Sequence, residues 1–189
     1  ILWPELWLLP EHGGHGSDPQ LPPADLSHRL NQVGRNCMTR VSLDHASAWV
    51  LPTQHQANSL PHYFKTNNLH IIHEGIDTTL ACPSEDISID INGIIFDRSV
   101  PVLTFVNRNL ERLRGFDFFM RSLPRLQEQW PDLHVVIIGD NEKGYGLPHP
   151  SGQPLKDVML HELSGSLDLQ RIHFLGRVSH AFLLNVFRV

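Results

Sequence analysis

A chain of 189 residues is long enough for one good core, or for parts of two smaller ones. With 41% hydrophobic and 19% charged residues, 13 Gly and 14 Pro, it has the composition of a packed globular protein and not of a disordered or collagen-like one. The formal net charge of -5 argues against a general nucleic-acid binder, which needs clustered Lys and Arg, but leaves room for a local basic site that takes a small anion.

In chain order, residues 1–10 are apolar but interrupted by Pro4 and Glu5, too short to span a bilayer, and without the basic flank of a signal peptide. The chain starts without Met inside what reads as a hydrophobic element, so further residues are expected upstream. Residues 11–23 are dense in Gly and Pro and predict an ordered loop. A helix is predicted over 24–45, a short strand over 47–51 stopped by Pro52, a helix capped by Thr53 and running to Leu60, and a strand over 69–73. That alternation is α/β. Cys37 and Cys82 have no CxxC spacing, so neither a disulfide framework nor a zinc module is suggested and reduced, cytoplasmic thiols are expected.

Residues 77–86 are polar, contain Pro83 and read as an interdomain linker. Next comes a predicted hairpin, 87–91 and 94–96 around Asn92-Gly93, the dipeptide that best tolerates the positive φ angles of a type I′ turn. A second alternation follows. Strands are predicted at 102–106, 134–138 and 171–175, and helices from Phe116, from Pro154 and from Ser179, with Pro124 expected to kink or restart the first of them. The order predicts a parallel sheet with right-handed crossovers.

Three loops follow these strands, where a doubly wound sheet faces its ligand. The first holds Arg108, Arg112 and Arg114 before Gly115; two or three guanidinium groups there would grip a diphosphate, and surface arginines are the plain alternative. The second holds Gly139 and Asp140, either a close backbone approach to a ligand or an ordinary turn. No GxGxxG stands here, which disfavours a nicotinamide dehydrogenase. The third holds Gly176, Arg177 and Val178 ahead of Ser179, a main chain suited to reading a flat base or simply an N-cap.

The stretches VLTFVNRNLERLRGFDFFMRSLPRLQEQWPDLHVVIIGD and RIHFLGRVSHAFLLNVF resemble the first half of the donor-binding domain of glycosyltransferase family 4, and IIHEGIDTTLACP (residues 71–83) is similar to that family's passage between domains. The likeness covers most of the chain and is strongest from Ile71 onwards. It implies parts of two Rossmann-like domains of the GT-B type: 1–76 as the C-terminal part of the acceptor-side domain, 77–86 as linker, and 87–189 as the incomplete donor-binding domain. It also implies transfer of a glycosyl unit from a UDP- or GDP-linked sugar to a glycan, lipid or small-molecule hydroxyl, with retention at the anomeric carbon and no cofactor or metal. Arg108 and Arg114 have the six-residue spacing of the family's diphosphate-binding basic pair, with Arg114 where Lys is common. The resemblance further places Gly139 and Asp140 near the donor and the main chain of Gly176, Arg177 and Val178 beside the base. The family's Glu-x7-Glu element would lie beyond Val189, and no His at 12, 15 or 45 matches the family's catalytic position, so catalytic residues stay unassigned and the piece alone is expected to be inactive.

Other readings remain in view. Thirteen histidines invite a metal site, but neither EHGGH at 11–15 nor HIIHE at 70–74 has a zincin pattern, and on a strand residues three apart point to opposite faces. A non-catalytic nucleotide-binding module of the same fold and a nucleotide-sugar epimerase are the alternatives. Trp3, Trp7 and Trp49 fit aromatic core packing, or else a lipid-facing acceptor domain, which keeps peripheral contact at the inner membrane face beside a cytoplasmic location.

Overall fold

A computed structural model of the chain describes residues 1–2, 7, 25–64, 68–142, 144 and 149–189. The predicted loop at 11–23, Trp3, His12 and His15 lie outside them. The chain forms two compact units, Ile1–Ile76 and Asp77–Val189.

The first unit contains a long helix α1 (Leu26–Asp44), strand β1 (Trp49–Leu51), helix α2 (Gln54–Ser59) and strand β2 (Leu69–Ile71). β1 and β2 pair in parallel, with Trp49 opposite Leu69 and Leu51 opposite Ile71. All three residues of β1 are buried. Trp49 and Leu51 pack with Leu43, Ala57, Leu60 and Phe64, and the partly buried Leu2 and Trp7 join them. Trp7 and Trp49 both lie about the Phe64 ring, at 5.9 and 6.0 Å between centroids, and the Trp49 indole donates to the Leu43 carbonyl at 3.0 Å. These two tryptophans therefore serve the core. α2 starts where the sequence predicts: the Thr53 hydroxyl accepts from the Gln56 amide at 3.2 Å, satisfying one of the donors a helix start leaves open.

The second unit begins with a hairpin of β3 (Ile89–Ile91) and β4 (Ile94–Phe96), antiparallel with Ile91 opposite Ile94. Asn92 and Gly93 take φ of 56° and 84°, the positive pair that a type I′ turn requires. Then come β5 (Val102–Asn109), helix α3 (Phe116–Gln129), β6 (His134–Asp140), helix α4 (Leu155–Glu162), β7 (Ile172–Gly176) and helix α5 (His180–Val186). β5, β6 and β7 form a parallel sheet in that order, the α/β arrangement expected from the alternating pattern.

β6 is the central strand and is buried from Val135 to Gly139. Because successive side chains point to opposite faces, Val135 and Ile137 meet Phe116, Met120, Leu123 and Met159 on one side, while Val136 and Ile138 meet Ile89, Ile91, Phe96 and Val186 on the other. The sheet thus lies between α3 and α4 on one face and the hairpin with α5 on the other. A run of five apolar or small residues in β6 reflects this double burial.

The helix does not restart at Pro124: α3 runs from Phe116 to Gln129 with Pro124 inside. Proline deletes one amide donor, but the buried row Phe116, Met120, Leu123 and Gln127 continues across it and anchors the helix on both sides. Gln127 is itself paired, its amide donating to the Asp168 carbonyl and its carbonyl accepting from the Asp168 amide, each at 3.0 Å. Residues 77–86 lie with the second unit. The Arg188 guanidinium donates to the carbonyls of Leu80 and Cys82 at 2.5 and 3.0 Å.

Candidate anion-binding edge of the parallel sheet

The carboxyl ends of β5, β6 and β7 carry the residues singled out from the sequence. β5 is longer than predicted and includes Arg108, whose side chain is exposed and makes no ion pair with the described residues. The strand's pairing to β6 shifts register between Val106 and Asn109, and the Leu110 amide then donates to the Asp140 carbonyl at 2.8 Å. Arg108 therefore sits on the irregular last turn of a strand and not in a free loop.

Beyond it, residues Arg112–Arg114 make one turn of 3-10 helix, and Gly115 at φ 74° redirects the chain into α3. The three arginines divide sharply. Arg112 is turned inward, its side chain 17% exposed and its Nε 3.2 Å from Oδ2 of the fully buried Asp117. Arg114 is half exposed and only loosely paired, at 3.8 Å from Glu111 Oε1. So Arg108 and Arg114 are the two cations of this segment that face solvent. Asp117 also takes Arg121 Nη1 at 3.4 Å, and Arg121 forms a two-point pair with Glu162 of α4 at 2.6 and 3.0 Å. The hydrogen bonds from Arg121 hold the Glu162 carboxyl below the usual carboxylate range.

Gly139 lies inside β6, so the turn reading of this glycine is wrong. Its φ is 153°, and a Cβ there would stand 2.7 Å from the Asn107 carbonyl oxygen and 2.9 Å from Leu110 Cδ2. The close approach that needs glycine is made to the chain's own β5 segment. Asp140 caps the next residue, its Oδ1 accepting from the Asn141 amide at 2.7 Å, and its Oδ2 lies 2.9 Å from Arg177 Nε. Arg177 also reaches Glu142 at 2.8 Å. The second and third predicted loops are thus joined by a two-carboxylate clamp on one guanidinium. Gly176 has φ 66°, Val178 is packed against the hairpin side of the core, and Ser179 caps α5 by accepting from the Phe182 amide at 3.2 Å.

Sequence reasoning missed Asp117, Glu111 and Glu142. Asp117 had a signal: it lies one position after Phe116 on the apolar face of α3, where a carboxylate has no business unless it is paired. Glu142 had none, because which loop meets Arg177 is a matter of strand order. His45 is exposed and bonded to the Val41 carbonyl at 2.8 Å, and His70 and His73 are exposed, so these histidines do not converge. Among the described residues no group of three or more His, Cys, Asp and Glu is placed to hold a metal ion.

The fold and this edge define an α/β protein of the GT-B kind. The chain superposes on a crystal structure of TarM with a TM-score of 0.53 at 8% identity, over 77% of this chain and 24% of TarM. It superposes on sucrose-phosphate synthase from Thermosynechococcus elongatus with a TM-score of 0.62 at 13% identity, over 98% of this chain and 41% of that one. The chain therefore spans well under half the length of either neighbour. Residues 1–81 match the family model of the glycosyl transferase family 4 group, which bears out the family-4 resemblance read from the sequence. That match covers the first unit and the first five residues of the second, although the sequence likeness looked strongest from Ile71 onwards; for the rest of the second unit the solved structures show a shared fold. No curated protein sequence matches the chain.

Proposed function

We propose that the protein is a retaining glycosyltransferase that moves a hexosyl unit from a UDP- or GDP-linked sugar to an acceptor hydroxyl on a glycan, lipid or small molecule. The observation that carries this reading is the exposure of Arg108 and Arg114, and of them alone among the arginines of their segment, at the carboxyl end of β5 in a chain whose first 81 residues match a glycosyl transferase family. In this reading the first unit belongs to the acceptor-side domain and residues 87–189 to the donor-binding domain, with 77–86 between them.

Negative charge builds on the departing diphosphate as the glycosidic bond breaks. Two guanidinium groups and the open amides at the start of α3 oppose that charge and are strongest where water is excluded. Gly139 and Asp140 bring the end of β6 beside the donor, and the main chain of Gly176, Arg177 and Val178 borders the base. Arg177, held by Asp140 and Glu142, keeps that main chain in place. The groups needed for the diphosphate are all side chains and amides of this chain, and no cofactor enters the scheme. No helix among the described residues is long and apolar enough to cross a membrane. The proposed setting is the cytoplasm, with contact at the inner membrane face where the acceptor is a lipid.

The test is turnover of UDP- and GDP-sugars by the full-length protein, with and without acceptors. Removing one preorganised cation, as in Arg108→Ala or Arg114→Ala, is expected to lower turnover by about 100-fold or more. Activity that is indifferent to both substitutions, or no turnover of any nucleotide sugar, would remove the diphosphate assignment.

A further inference from the structure

We infer that Asp117 is a positioning residue for the diphosphate: by holding Arg112 inside the fold it fixes the turn that presents Arg114. This rests on the reading of Arg108 and Arg114 given above.

The Asp117 side chain is fully buried on the face of α3 that also carries Phe116, Met120 and Leu123. Its Oδ2 is shared by Arg112 at 3.2 Å and Arg121 at 3.4 Å, while its Oδ1 has no hydrogen-bond partner among the described residues. A buried carboxylate with half its accepting capacity unused is a poor way to stabilise a helix, and an apolar side chain would fill the same position at less cost. What the carboxylate does that an apolar group would not is retain a guanidinium.

That guanidinium belongs to the first residue of the three-residue turn Arg112–Arg114. In a 3-10 turn of about three residues per revolution, positions two apart point about 120° away from each other. Fixing Arg112 inward therefore directs Arg114 outward, as its half-exposed side chain shows. The turn's own amide bonds, from Arg114 to the Glu111 carbonyl at 3.1 Å and from Gly115 to the Arg112 carbonyl at 2.8 Å, set its shape, and the Arg112–Asp117 pair ties it to α3 and fixes which way it faces. On the other side, the same carboxylate meets Arg121, which pairs in turn with Glu162 of α4; that pair adds stability but does not touch the Arg112–Arg114 turn.

The experiment is titration of the full-length protein with UDP, GDP and inorganic pyrophosphate by calorimetry, with a thermal melt of every variant. Because a small misplacement of a binding group costs about 10- to 100-fold, Asp117→Asn is expected to weaken the tightest of these ligands by at least about 10-fold at a temperature where it is fully folded. Arg112→Gln, which leaves Asp117 paired to Arg121, is expected to do the same and serves if Asp117→Asn does not fold. Arg112→Lys should recover most of the lost affinity. Glu162→Gln breaks the tie to α4, lowers the melting temperature, and should leave affinity within about twofold, a separation a purely structural role for Asp117 would not produce. If the wild type binds and both Asp117→Asn and Arg112→Gln bind equally well, the positioning role is wrong while the diphosphate reading stands. If the wild type binds none of the three ligands, the diphosphate reading falls and takes this inference with it.

Discussion

Replacing Gly139 by Ala exchanges one hydrogen for a methyl group inside β6. The new Cβ would stand 2.7 Å from the Asn107 carbonyl oxygen and 2.9 Å from Leu110 Cδ2. Leu110 can swing aside, but Asn107 is backbone, in a strand whose next hydrogen bond, from the Leu110 amide to the Asp140 carbonyl, is already 2.8 Å. Relief therefore requires β5 and β6 to part at the carboxyl edge. Overpacking of this kind costs about 1–3 kcal/mol. Holding a residue with a Cβ at φ 153° adds about 1–3 kcal/mol, because that region is populated almost only by glycine. A combined loss of about 3 kcal/mol is expected, seen as a lower denaturant midpoint with an unchanged slope. Truncating Leu110 in the same molecule removes the softer of the two clashes, so Gly139→Ala should cost less in a Leu110→Ala background than alone, yet still more than about 1 kcal/mol. A Gly139→Ala protein within about 0.5 kcal/mol of wild type would show that the strands are not held at this separation, and the argument for the edge geometry would go with it.

The paired rings of His134 and His173 stack at 5.3 Å, share a hydrogen bond of 3.0 Å between Nδ1 and Nε2, and both meet the Phe96 ring edge-on. Burial lowers both pKa values, Arg171 lowers that of His134 further against Asp168 and Asp132, and the His134 ring lowers that of His173. Groups whose folded pKa is depressed in this way bind fewer protons folded than unfolded below about pH 6.5, so their stability contribution is complete above that pH and is lost as pH falls towards the folded values. Chemical denaturation at pH 7.5 and pH 5.5 should show the loss, and His134→Gln with His173→Gln should flatten it; an equal slope in wild type and double variant would contradict the assignment. Ser179→Ala deletes the cap on α5 and should cost about 1 kcal/mol in the denaturant midpoint, with no loss meaning that the cap is replaced by water.

The elements of the second unit were legible because each obeys a local rule. Asn92-Gly93 demands its turn, Ser179 its helix start, and the apolar run in β6 its double burial. The restart expected at Pro124 does not occur, because the buried row of Phe116, Met120, Leu123 and Gln127 outweighs a local penalty that is all the sequence shows. At the candidate site, composition and position give Arg108, Arg112 and Arg114 the same standing, and only the family resemblance singles out Arg108 and Arg114; the buried Asp117 supplies the physical reason that Arg112 turns inward. For Gly139 the sequence offers an approach to a ligand or, more readily, a turn; the close approach is instead to the chain's own β5 segment, which depends on how two strands pair. The meeting of Arg177 with Asp140 and Glu142 lay out of reach, since it depends on two parallel strands ending side by side, which no local pattern encodes.

Arg188 grips the carbonyls of Leu80 and Cys82 across more than a hundred residues of sequence. The earliest stretch of the second unit is therefore fastened by its latest one. During synthesis or refolding these two bonds can form only once the chain beyond α5 is in place, so this seam closes late and, by the same topology, opens when α5 loosens. Amide exchange along residues 77–86 would in that way report the attachment of α5, a helix on the far side of the sequence, more faithfully than any probe placed in the strap itself.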